Sequence, residues 1–90
     1  MIHYQLFGGI NDGLELSSPV VFSTLAFPST IVLRGNSDYR DWSPSPGDSA
    51  DVYLWDRMER ETESGEPLMF MHLYQTVTLT PDHITDKDDR

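Results

Sequence analysis

The ninety-residue chain contains no cysteine. Disulfides and thiolate metal sites are therefore excluded, and a chain of this size buries only about 60–65% of the surface its unfolded form exposes, so a thin core must hold the fold without covalent help. The lack of thiols fits a reducing compartment, and a cytoplasmic location is expected. Long apolar runs are missing too. Nowhere do about 18 apolar residues follow one another, and the opening MIHYQLFGG lacks the basic-then-apolar order of a signal peptide, so neither a membrane span nor a leader is expected.

Positive charge is scarce: six Lys and Arg stand against fifteen Asp and Glu, for a net charge of −9. The imbalance is local. Residues 1–35 carry −1, residues 67–90 carry −2, and residues 36–66, with nine acids against Arg40, Arg57 and Arg60, carry −6. Such a chain repels nucleic acid and anionic membranes and attracts basic protein surfaces. The expected partner is a protein with a basic or apolar surface, with no direct nucleic acid or membrane contact.

Signals for catalysis are absent as well. There is no G-x-S-x-G elbow, and His3, His72 and His83 have no short ligand spacing. His3 and His72 could meet only if the first and last strands were neighbours, and half-buried, hydrogen-bonded imidazoles are the simpler reading. Asp56 with Glu59, or Glu61 with Glu63, could do acid–base work, but in an acidic turn region they read more simply as a solvated face. No enzyme activity, cofactor or metal site is expected.

The stretch GGINDG (8–13) has the glycine spacing of a phosphate-binding loop, but Leu14 and Glu15 follow where a Lys and a Ser/Thr are needed. Asp12 and Glu15 would repel a phosphate. The alternative is a turn: Asp12-Gly13 is a strong hairpin signal, and Gly8-Gly9 adds a bulge. A hairpin of residues 2–7 against 14–17 follows.

Beyond residue 18, short runs rich in β-branched and aromatic residues alternate with Pro, Gly, Ser and Asp, a pattern of strands. Strands are expected over 19–27 and 30–35, and an aperiodic loop over 36–50. In 51–62, Val52, Leu54, Asp56 and Met58 alternate with Tyr53, Trp55 and Arg57, which favours strand, although MERETE would also suit a helix. The run 67–79 is apolar on both faces and reads as a strand covered on both sides. Residues 81–90 are polar and highly charged, and a disordered tail is expected.

Aromatic residues set among acids are the most informative constellation. Tyr39, Trp42, Tyr53, Trp55 and Arg57 are candidate partner-binding residues, because interfaces are rich in Tyr, Trp and Arg. The competing reading has Trp42 as a lid on the core and Tyr53 and Trp55 on a second buried face.

The opening Tyr4-Gln5-Leu6-Phe7-Gly8-Gly9-Ile10-Asn11-Asp12-Gly13 resembles the Y-x-L-x-G-G-P-x-D-G start of many small uncharacterised proteins from actinobacteria and their bacteriophages, with Ile10 standing where the group has Pro. The resemblance covers about ten residues and implies a small intracellular β-rich protein, in the host cytoplasm if phage-encoded. It implies no activity, and Gly8, Gly9, Asp12 and Gly13 map as turn residues only.

The expected fold is all-β: a small antiparallel meander or partly closed barrel of four to six strands, with an acidic loop and a charged tail after residue 80. The expected function is a non-enzymatic protein-binding module acting on a host or self protein. An acidic nucleic-acid mimic is the alternative, and an enzyme or small-ligand binder is less favoured. The doubly apolar strand 67–79 also predicts a homodimer with Phe70 or Met71 in its interface.

Overall fold

The computed structural model describes residues 1–80, the Arg40 side chain aside. Six strands, β1 (Ile2–Phe7), β2 (Glu15–Ser18), β3 (Thr24–Pro28), β4 (Ser49–Trp55), β5 (Arg60–Glu61) and β6 (Pro67–Thr78), and one short helix, α1 (Asn36–Asp41), make up the fold. The sheet runs in the order β2-β1-β6-β4-β3, with β5 also paired to β6. It curls into a half-barrel. Of the two all-β arrangements expected, the partly closed barrel is therefore the one formed. The meander is excluded by one parallel pair at the centre, where His3 to Phe7 of β1 run beside Leu68 to His72 of β6.

Period-two alternation explains the core, because alternate side chains along a strand share a face. Tyr4 and Leu6, Leu14 and Leu16, Leu25 and Phe27, and Met69 and Met71 all fill the concave side, joined there by Tyr53. Phe27 meets Tyr53 edge to face at 5.5 Å between ring centroids. On the convex side Phe70 is covered by the Phe7 ring at 4.8 Å and by the Arg60 guanidinium at 4.0 Å.

The first turn forms as its glycines predict. Gly8, Gly9 and Gly13 all have positive φ. The Asp12 carboxylate accepts the Gly8 N–H at 2.7 Å, which fills with the chain's own acid the amide a phosphate would need. Gly9 is confined as well: a Cβ there would lie 2.7 Å from Asp51 Oδ2 and 2.9 Å from the Tyr53 hydroxyl.

Three expected elements form differently. The strand over 30–35 is absent, because the buried Asn11 side chain takes up that backbone: its Nδ2 donates to the carbonyls of Pro28 and Ile31, and its Oδ1 accepts the Leu33 N–H at 2.7 Å. The strand over 19–27 shortens to β3, since the Tyr4 hydroxyl donates to Val20 O at 2.6 Å and accepts the Phe22 N–H at 2.9 Å, drawing residues 19–23 out of the sheet as a strap. Within 36–50, α1 forms where a loop is expected; Asp38 in its first turn accepts the Arg34 N–H.

The segment 51–62 is strand, but interrupted. β4 ends at Trp55, residues 56–59 bulge out with Arg57 at φ 65°, and β5 then resumes the pairing to β6. Asp56 stabilises the bulge by accepting the Met58 N–H and the Arg60 Nη1. The tail expected over 81–90 lies outside the described residues.

Candidate protein-binding face

The strap links β2 to β3, the two edge strands of the sheet among the described residues. The Tyr4 hydroxyl ties it down at Val20 O and the Phe22 N–H. Val20 is 52% exposed, Val21 65% and Phe22 39%. Three consecutive large apolar residues thus stand in solvent.

Clefts flank the strap on both sides. On one side Phe22, with Tyr4, Leu16, Leu25 and Tyr39, lines an apolar cavity of about 280 Å³ at the mouth of the half-barrel. On the other, Val21 joins Trp55, Met58 and Met69 in a wider groove whose rim carries Glu59 and Glu61. The two clefts and the strap form one apolar face. The acids on this face are Glu59 and Glu61, at the groove. Arg60, within the groove, is already held by Asp56 at 2.9 Å.

Trp55 is half-buried against the core, and its indole Nε1 is buried with no hydrogen-bond acceptor among the described residues. A buried unsatisfied donor of this sort costs about 1–3 kcal/mol.

The aromatic residues singled out from sequence separate. Tyr39 packs on Phe27 at 4.8 Å and borders the cavity, where burial pushes its hydroxyl pKa up. Trp42 is half-buried beside Tyr39, with ring centroids 6.5 Å apart. Trp55 lies in the groove on the other side of the strap, so these residues are not one cluster. Arg57 is exposed on the bulge. Tyr53 must be withdrawn from the binding set: it is 0% exposed, its hydroxyl donates to Gly8 O at 2.6 Å, and burial, with Asp51 and Asp12 nearby, pushes its pKa up to about 12. Met71, also 0% exposed, has no surface to offer a dimer interface, and the convex face of Phe70 already carries Phe7 and Arg60.

The histidines take structural partners. The strands bearing His3 and His72 are neighbours, but the register sets His72 beside Phe7 and His3 beside Leu68. His3 contacts Glu66 at 2.7 Å, and this hydrogen bond, followed by that of the N-terminal ammonium, holds the Glu66 carboxyl below its usual range. His72 contacts Asp56 at 3.3 Å; the Arg60 hydrogen bond is the main reason that the Asp56 pKa falls to about 2. Among the described residues no three His, Asp or Glu side chains converge as metal ligands, and His83 lies outside them.

Sequence reasoning did not find the strap. PVVFSTLAF reads as one buried strand, and the signal that breaks it is the Tyr4 hydroxyl, far away in the chain. No family model, curated protein or solved structure matches this chain.

Proposed function

We propose that the chain is a non-enzymatic module that binds another protein through the apolar face formed by the strap and its two flanking clefts. One observation carries this reading: Val20, Val21 and Phe22 stand consecutively exposed on a strap that the Tyr4 hydroxyl fixes at Val20 O and the Phe22 N–H. Glu59 and Glu61 at the groove, with the chain's net charge of −9, favour a partner with basic groups beside an apolar segment. From the opening motif we attach an actinobacterial or phage origin and a cytoplasmic site of action to the same proposal.

A nucleic-acid mimic has less support. Asp12, Asp38, Asp48, Asp51, Asp56 and Glu66 commit carboxylate oxygens to the chain's own donors instead of standing in open rows. Self-association through this face would bring Glu59 and Glu61 towards their own copies, so a basic partner is favoured over a second acidic chain.

The test is chemical cross-linking in an actinobacterial lysate with the native sequence and with Val21→Asp, whose side chain is exposed and whose substitution leaves the core intact. Loss of the native cross-linked species in the variant is expected. The same species from both chains would remove the strap from the interface.

A further inference from the structure

Among the described residues the half-barrel has two edge strands without a further partner strand, β2 and β3, and the chain treats them differently. At β2 the outward N–H and C=O of Ser17 are both taken by the side-chain amide of Asn36, each at 3.0 Å, as a neighbouring strand would take them. That edge is occupied at Ser17. At β3 the phase of the ladder is set by two bonds to β4, from Trp55 N–H to Ser23 O and from Ser29 N–H to Ser49 O. In an antiparallel pair hydrogen-bonded positions alternate, so Leu25 and Phe27 direct their N–H and C=O groups to β4 and Thr24, Ala26 and Pro28 direct theirs away. Pro28 has no N–H, and its carbonyl is held by Asn11. Thr24 and Ala26 make no backbone hydrogen bond on that side among the described residues.

A natural sheet blunts an edge it does not use, and β2 shows that this chain has the means. Between Thr24 and Ala26, the Leu25 side chain lines the 280 Å³ apolar cavity, with further wall from β1, β2, the strap and α1. Backbone donors and acceptors beside a side-chain pocket are the two components of recognition by strand addition, the first giving affinity and the second specificity. The occupant must also suit the surroundings: Glu59 and Glu61 line the groove on the other side of the strap, and the chain carries a net charge of −9.

We infer that β3 receives an extended segment of a basic partner as an added strand, with its N–H and C=O groups on Thr24 and Ala26 and one apolar side chain in the cavity. This rests on the protein-binding reading and adds its mode. A second copy is the weaker occupant, because the net charge of −9 on each chain opposes it.

The probe is a dye-labelled octapeptide alternating lysine with valine, compared with its glutamate–valine counterpart and with a version N-methylated on alternate residues. Fluorescence anisotropy should show salt-sensitive binding of the lysine peptide alone. Ala26→Pro removes the outward N–H without touching the ladder to β4, and Pro is tolerated at such edge positions. With a melting curve close to native, this variant should bind the lysine peptide about tenfold more weakly, as should the native chain the N-methylated peptide. Undiminished binding by Ala26→Pro or of the N-methylated peptide overturns strand addition, and equal binding of the glutamate peptide overturns the basic occupant. No binding of the lysine peptide overturns both. A dimer of the native chain that Ala26→Pro abolishes would give the edge to a second copy instead. Loss of cross-linking in Val21→Asp but not in Ala26→Pro would leave the docking face standing and refute this mode alone.

Discussion

Gly9 and Gly13 allow steric collision to be separated from backbone strain within one turn. Both have positive φ, 76° and 87°, so alanine at either position meets the same left-handed penalty of about 1 kcal/mol. The surroundings differ. An added Cβ at Gly13 has nothing within 4 Å, whereas at Gly9 it would stand 2.7 Å from Asp51 Oδ2 and 2.9 Å from the Tyr53 hydroxyl. Neither atom is free to retreat: Asp51 is buried and accepts from Thr76 Oγ1 at 2.6 Å, and Tyr53 is fully buried with its hydroxyl on Gly8 O. Overpacking of this kind adds about 2 kcal/mol. Gly13→Ala is therefore expected to cost about 1 kcal/mol and Gly9→Ala about 3, out of a total near 5 for a small domain. With a urea slope of about 1 kcal/mol/M, the unfolding midpoints should fall by about 1 M and about 3 M. Adding Tyr53→Phe to Gly9→Ala relieves one of the two contacts, so the double variant should lose less than the sum of the singles. Equal midpoints for Gly9→Ala and Gly13→Ala would refute the close approach of the turn to β4.

Two further perturbations probe side chains that hold irregular backbone. Asn11→Ala removes three hydrogen bonds from residues 28–33 and leaves the Leu33 N–H without its acceptor; a loss of about 3 kcal/mol is expected, with faster amide exchange over 29–34, and an unchanged exchange pattern would refute the role of Asn11. Arg60→Met keeps an apolar cover on Phe70 but removes the main cause of the low Asp56 pKa, so a carboxyl NMR titration should show that pKa rising from about 2. Because the folded value lies below the unfolded one, the Asp56 contribution to stability is complete above about pH 4 and is lost as the pH falls towards 2. In Arg60→Met that loss should shrink, and an unmoved titration would exclude Arg60 as the cause.

What could be read from sequence follows the range of the interactions concerned. The hairpin of β1 and β2 was legible because alternation and an Asp-Gly turn are local. For the same reason Leu25 and Phe27 could be placed on a strand, and Tyr53 and Trp55 on a common face. Alternation does not say which face is inside, however, and Tyr53 proved to be core. The strap and the missing strand over 30–35 depend on single polar atoms, Tyr4 Oη and the Asn11 amide, acting across 16 to 22 residues of chain. No period or propensity carries such bonds. The helix α1, with six residues, is too short to show a period at all. The candidate face was hidden for the same reason as the strap, since its apolar residues resemble those of any buried strand.

The parallel pairing of β1 with β6 also sets the order in which the molecule can assemble. The first hairpin and the β3–β4 pair are joined in the sheet only through β6, the last of the described strands. Until that strand has left the ribosome, β1 and β4 each have one side with no partner, and the two halves have nothing to close upon. Pairing His3 with Leu68 closes a long loop before any reward from the contact, so folding belongs to the slow range of milliseconds to seconds. A nascent chain stopped before β6 would carry one hairpin and one separate strand pair with exposed edges, a form open to aggregation.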